Sequence, residues 1–308
     1  MGTIKITSIT RNDWANLMFN MTKAMLSVGM NASCYTLNSH PFSYEEQAQT
    51  VTIEQRRLLI SQSDIINIVH SDIFLLHAFE KELKNKKLIV THTGSIYRNA
   101  PEAHNLAFNP HVYLTLTDHC EFISLGAKNI NYITFSVSAN NVPHFGHEIS
   151  APYVIGHYPS STDVKGTKEI LSMLSECKPH RLLYSAEKVP NAQQLKRMDQ
   201  CDIYIELFKP ELNGHPYGHY GVTAFEAAAT GKVVITQNLN EHVYREAYGD
   251  CALRICNTPD KFKATVNQLL SLPALRISEI QTETYLWVEQ KHSFKANGER
   301  LKKLILQS

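Results

Sequence analysis

Cysteine is sparse and scattered in this 308-residue chain: six residues, at 34, 120, 177, 201, 251 and 256, with no CxxC pair. That spacing argues against a disulfide framework or a zinc site and for reduced, partly buried thiols. Neither sign of charge is in excess. The 30 Lys and Arg stand against 29 Asp and Glu, a formal charge of +1, so there is no global pull toward nucleic acid or membrane. A local basic face stays open. No uncharged apolar run is long enough to span a bilayer. The opening MGTIKITSIT lacks the apolar core of a signal peptide, and Ile6 stands where a myristoylation signal needs Ser or Thr. A soluble, cytoplasmic chain is expected. No GxGxxG or GxxxxGK[ST] loop follows a strand, which argues against a dehydrogenase or NTPase, and without GxSxG a serine hydrolase has no support. Internal repeats and low-complexity tracts are missing too.

What is present is alternation. Short β-branched runs (IKITSI, ASCYTL, IINIV, KLIVTH, VYLTLT, INYITF, then YVIGHY, RLLYSA, IYIEL, VVIT, ALRI) alternate with helical patterns. Trp14, Leu17, Met18, Met21, Met25 and Val28 recur at helical spacing, so an amphipathic helix with a core-facing stripe is expected after the first strand. Such repetition predicts parallel sheets covered by helices on both faces. Near residues 136–152 the sequence loses its periodicity, as a linker does. The expected architecture is α/β: two doubly wound Rossmann-like domains, 1–145 and 151–285, with a ligand cleft between the carboxyl ends of their sheets. The helical, one-sidedly basic segment 286–308 is expected to pack back on the first domain.

One stretch asks for a chemical reason: HYGVTAFEAAATGKVVIT, His219 to Thr236, with a single acid among small apolar residues. Val222 and Thr223 open a helix that Gly231 closes, and its alanines allow close approach to a sheet. The first turn offers unpaired N–H groups and a positive dipole end, which suits a phosphate. Glu226, one turn inside, accepts two hydrogen bonds and fits a vicinal diol such as a ribose. A carboxylate that merely complements the helix dipole fits the spacing as well.

The segment resembles the donor-site signature of retaining glycosyltransferases of GT-B fold, the group that includes sucrose synthase and bacterial mannosyl- and glucosyltransferases. Tyr220, Gly221, Glu226, Ala227, Ala229, Gly231, Val233 and Val234 carry the match. The resemblance implies that the helix N-terminus at Val222 and Thr223 holds donor phosphates and that Glu226 grips ribose hydroxyls. It covers nearly the whole chain. VIGHYPSSTDVKGTKEIL is similar to the segment whose lysine neutralises the diphosphate, which implies a catalytic Lys165 with Ser160 nearby. VTHTGSIYR resembles the loop whose histidine reaches the transferred sugar, implying a catalytic His92, with Arg98 on the acceptor or phosphate side. RNDWANL places Asp13 and Asn16 toward the cleft, and SAEKVP implies nucleobase contacts near Lys188 and Val189. His219 lies beside the donor loop.

Two positions depart from the pattern: Gly218 stands where the family often has a glutamate at the donor sugar, and Thr162 where an arginine helps the lysine. Retention of anomeric configuration is implied, with the leaving phosphate taking the acceptor proton. No Asp-x-Asp motif occurs, so no metal and no cofactor are expected. HFGH (His144, His147) and HPYGH (His215, His219) have spacings a metal can use, but without cysteine or carboxylate partners at recurrent spacing they read as loop histidines. The expected partners are a nucleotide-sugar donor and a glycan, lipid-linked or small-molecule acceptor. Two alternatives stand beside this: transfer to a hydroxylated base in DNA, to which KELKNKK and KHSFKANGERLKK offer charge, and a degenerate binding protein that does not turn over.

Overall fold

The computed structural model describes residues 4–40, 42–138 and 149–307. The chain divides into two compact units, one made of Met1–Ser136 and His292–Ser308, the other of Val137–Lys291. Among the described residues no helix is long and apolar enough to cross a membrane, and none of the six cysteines is in a disulfide.

Among the described residues the first unit holds seven strands: β1 (Lys5–Thr10), β2 (Asn31–Thr36), β3 (Gln49–Thr50), β4 (Ile65–Val69), β5 (Lys87–His92), β6 (Val112–Thr117) and β7 (Ile130–Tyr132). They form one sheet in the order β3-β2-β1-β4-β5-β6-β7, and every pairing is parallel. Strand β4 reads Ile-Ile-Asn-Ile-Val and is buried throughout, as a strand covered on both faces must be. Ile66, Ile68, Leu88 and Val90 join Phe79 and Phe108 in the core beneath. The order reverses between β1 and β4, so the loops that follow these strands diverge.

The expected helix after β1 runs Leu17–Ser27. Leu17, Met18, Met21 and Met25 are buried as the stripe predicts, but Trp14 is 48% exposed. The reason is local: residues Trp14–Asn16 form a separate 3-10 turn, and positive φ at Ala15 and Asn16 breaks the helical phase. The helix Phe294–Gln307 lies against Leu17–Ser27 so closely that a Cβ on Gly298 would meet the Ala24 carbonyl. Asn297, fully buried, donates to the Phe135 carbonyl at 2.8 Å. The chain re-enters the first unit at His292, at the end of the helix Ala274–His292, against the expected 286.

The second unit has β8 (Val154–His157), β9 (Arg181–Tyr184), β10 (Ile203–Ile205), β13 (Val233–Thr236) and β14 (Arg254–Ile255), with a small antiparallel pair β11 (Glu211–Leu212) and β12 (His215–Pro216) between. The five-stranded sheet is parallel, in the order β14-β13-β10-β8-β9. Its core gathers Ile155, Ile203, Ile205, Val233 and Ile235 against Ile170, Phe262 and Val266. Here the reversal lies between β8 and β10. Of the expected linker, 136–152, residues 139–148 lie outside the described residues, and with them the pair His144 and His147.

Candidate functional site

In open parallel sheets, ligands settle beyond the carboxyl ends of the strands where the order reverses. In the second unit that place is occupied by a charge pair. Lys165 ends the short helix Thr162–Lys165 after β8, and Glu206 follows directly on β10. The Lys165 ammonium donates to Glu206 Oε1. Thr236 Oγ1 donates to the other oxygen at 2.7 Å, and Thr223 Oγ1 reaches Oε1 at 3.4 Å. Glu206 is 1% exposed, so its charge is compensated where water cannot reach it. Burial works against the charged form of Lys165, but Glu206 and Tyr217 outweigh it and its pKa is raised.

The pair sits against the start of the helix Val222–Ala229. A Cβ built on Gly221, the residue that precedes that helix, would meet Glu206 Oε1 and, at 2.6 Å, Lys165 Nζ. Only glycine lets the cation approach so closely. The helix leaves its first N–H groups without helical partners, so an ammonium and a positive dipole end converge on one spot. Gly166 after Lys165 has φ +66°, and a Cβ there would collide with the Phe208 carbonyl. The lysine's position is therefore set by close backbone packing. Behind it His157 stays neutral: burial lowers its pKa to about 4, and its nitrogens lie 2.9 Å from the Ile205 carbonyl and from Thr167 Oγ1.

Glu226, half-buried, accepts from Asn191 Nδ2 at 2.9 Å. Burial raises its pKa against the opposing effect of that amide. Lys165, Gly221 and Thr223 are thus brought together, with Glu226 one turn along the same helix. Tyr220 is drawn elsewhere. It is 1% exposed, edge-on to Phe225 and Tyr244, and its ring belongs to the core. His219 is buried against Tyr217. Ser160 and Lys188 are exposed and Val189 is half-buried. Gly218 has φ +139°, and a Cβ there would lie 2.7 Å from Gln237 Cδ. The family's glutamate has no room in this loop, because Gln237 fills the space.

In the first unit His92, at the end of β5, is 0% exposed. Tyr97 stacks on it at 3.9 Å and Ser71 Oγ is 2.5 Å from Nδ1. Burial and then His104 lower its pKa to about 3. The expected contact with a sugar is not met here, since Tyr97 covers the ring. Asp13 turns inward as well, accepting from the Met18 and Phe19 amides at 2.8 and 3.0 Å, and so caps the helix Leu17–Ser27. Asn16 is buried and donates to the Glu46 carbonyl. Arg98 is committed to Glu121 at 2.6 Å. The reversal between β1 and β4 instead opens a cavity of about 180 Å³ beside Arg11, Trp14, His70, Asp72, Phe74 and Ile96. His70 and Ser71 both have positive φ (63° and 53°), a strained turn of a kind that gathers at functional sites.

Sequence reasoning missed Glu206, Asn191, His70 and Asp72. Glu206 had a visible signal, an acid closing the apolar run Ile-Tyr-Ile. Among the described residues no group of three or more His, Cys, Asp or Glu is placed to hold a metal.

No protein-family model matches this sequence, and no curated protein matches it. Solved structures do. The Anabaena protein HepE in complex with UDP-glucose superposes with a TM-score of 0.67 at 12% identity, over 99% of this chain and 100% of that one. Sucrose-phosphate synthase from Thermosynechococcus elongatus gives 0.64 at 12%, over 99% and 98%. T4 phage BGT in complex with UDP and Mn2+ gives 0.52 at 13%, over 98% and 100%. At such identities the likeness is one of architecture, and what it shows of this chain is that two Rossmann-like units make up a GT-B fold.

Proposed function

We propose that the chain transfers a sugar from a nucleotide-sugar donor to an acceptor hydroxyl, with the donor held by the second unit. The observation that carries this is the meeting of Lys165 with the N-terminus of the helix Val222–Ala229, and Glu226 one turn behind. A diphosphate at that helix end takes the first N–H groups and draws Lys165 partly from Glu206. Glu226 accepts from the ribose hydroxyls, with Asn191 alongside. In the transfer, the bond from the anomeric carbon to the phosphate oxygen breaks and its electron pair stays on the phosphate. The acceptor oxygen bonds to the anomeric carbon on the same face, and its proton passes to that phosphate. The charge building on the leaving group is met by Lys165 and the helix end. Retention and independence from metal belong to this proposal.

The HepE structure carries UDP-glucose and that of T4 phage BGT carries UDP, so UDP-glucose is the first donor to try. Thermal stabilisation by UDP-, GDP-, ADP- and CMP-sugars, with donor hydrolysis followed with and without magnesium, tests the reading. Stabilisation by one nucleotide class, with sugar release that Glu226→Ala weakens, is the expected result. A second reading has its own motive in Gly218 and Thr162: a binding protein without turnover. Stabilisation with no sugar release under any condition favours it.

A further inference from the structure

A cavity of about 620 Å³ lies in the second unit beside β14, apart from Lys165, Glu206 and Glu226, none of which lines it. Strand β14 ends its sheet and is two residues long. The helices Glu241–Tyr248, Pro259–Leu269 and Ala274–His292 supply the walls. The volume falls within the roughly 300–1,000 Å³ of sites for small organic molecules. Tyr220, Tyr244, Leu253 and Leu269 line it yet are 4% exposed or less. A lipid tail or a bare aromatic ring therefore finds little apolar surface to cover. What a ligand meets is mainly polar: exposed Arg245, Lys261, Gln268 and Arg276, with half-buried Arg254 and Thr265.

Charge sets the class. Four bases on the lining, Arg245, Arg254, Lys261 and Arg276, stand against two acids, Glu241 and Asp250, in a chain whose formal charge is only +1. Elsewhere arginines are committed: Arg11, Arg57, Arg98 and Arg197 each hold a carboxylate. Arg276 is engaged too, with Glu279 and Glu283, which are not on the lining. Arg245 and Arg254 make no ion pair and no side-chain hydrogen bond among the described residues, and neither does Lys261. Glu241 accepts instead from Asn257 Nδ2 at 3.2 Å. Two unpaired guanidinium groups on one cavity suit the bidentate capture of an oxyanion. A phosphate monoester brings a charge of about −2 at pH 7, which matches the excess of bases over acids. Thr265 and Gln268 add groups that bond to hydroxyls on its body. A nucleic-acid strand needs a longer track of cations.

We propose that this cavity is a second anion site, which takes a small hydroxylated phosphate monoester with its phosphate held by Arg245 and Arg254. The site does not rest on the transfer reading. Glucose 6-phosphate, ribose 5-phosphate and glycerol 3-phosphate are titrated into the full chain by calorimetry, beside methyl glucoside and inorganic phosphate. Wild type is compared with Arg245→Gln, Arg254→Gln, the double variant and Glu226→Ala, each checked for an unchanged melting temperature. Arg245 is exposed on its helix, so its variant decides the matter should Arg254→Gln melt early. At least one ester is expected to bind, about tenfold more weakly in each single variant and on the order of 100-fold more weakly in the double. Glu226→Ala is expected to bind it as wild type does. Binding by no ester, or equal binding by the double variant, overturns the proposal. So does inorganic phosphate that binds as tightly as any ester, which would mean an adventitious ion only, and so does methyl glucoside that binds as tightly. Ester binding that Glu226→Ala loses and the double variant keeps belongs to the donor helix, and overturns this site alone. Stabilisation by nucleotide-sugars is read separately. If it fails while an ester binds through the two arginines, this site stands and the transfer reading falls.

Discussion

Both units reverse their strand order once, and each has its distinctive chemistry at the reversal. In the second unit the residues there are a buried ion pair and a helix end. In the first they are exposed rings, a strained turn and buried polar atoms without partners. Topology chose the two places, and side chains gave them opposite character. One gathers positive charge at a helix end, the other leaves apolar rings beside a small cavity.

The largest effect is expected where that contrast is sharpest. Lys165→Ala leaves Glu206 charged and buried without its partner, and should cost about 3–5 kcal/mol in stability by urea unfolding. Turnover of donor should fall by on the order of 10²-fold or more. The double variant Lys165→Met with Glu206→Gln should regain most of the stability and none of the turnover, which separates folding from chemistry. Next comes Gly218→Glu, which restores the family's residue on paper. With φ +139° and Gln237 in the way, it should lose about 2–4 kcal/mol and gain no activity. Glu226→Ala should weaken nucleotide binding by about 10- to 100-fold by calorimetry, with little change in unfolding.

The smallest effect belongs to the first unit. His92 has a folded pKa of about 3, against an ordinary value near 6.5. The unfolded chain therefore binds a proton there before the folded one does. Its contribution to stability is full above about pH 6.5 and is lost as pH falls toward 3. NMR titration should show a neutral imidazole throughout pH 8 to 5. Protonation near pH 6.5 would mean that Tyr97 does not seal it.

Much of this is legible in the sequence. Each of the eleven β-branched runs contains or overlaps a strand, because a parallel sheet buried on both faces needs continuous apolar stretches. The helix of Glu226 was readable from its glycine limits and its alanines. Contacts made between distant segments were not. Glu206 meets Lys165 across 41 positions, and Asn191 meets Glu226 across 35. No local period announces either pair. His92, Asp13 and Tyr220 look from their loops like groups that face a ligand, yet stacking, capping and aromatic packing turned each inward. Trp14 went the other way, because two left-handed residues cannot be read from a helical stripe.

The close seam between Gly298 and Ala24 has a consequence for biosynthesis. In sequence the second unit lies between two parts of the first, so a ribosome finishes it before it makes the helix Phe294–Gln307. Until residues 292–307 emerge, the outer face of the helix Leu17–Ser27 stays uncovered. A chain cut before His292 would keep the anion site whole but leave that face bare and sticky. The nascent first unit therefore has to wait for residues 292–307 before this seam can close.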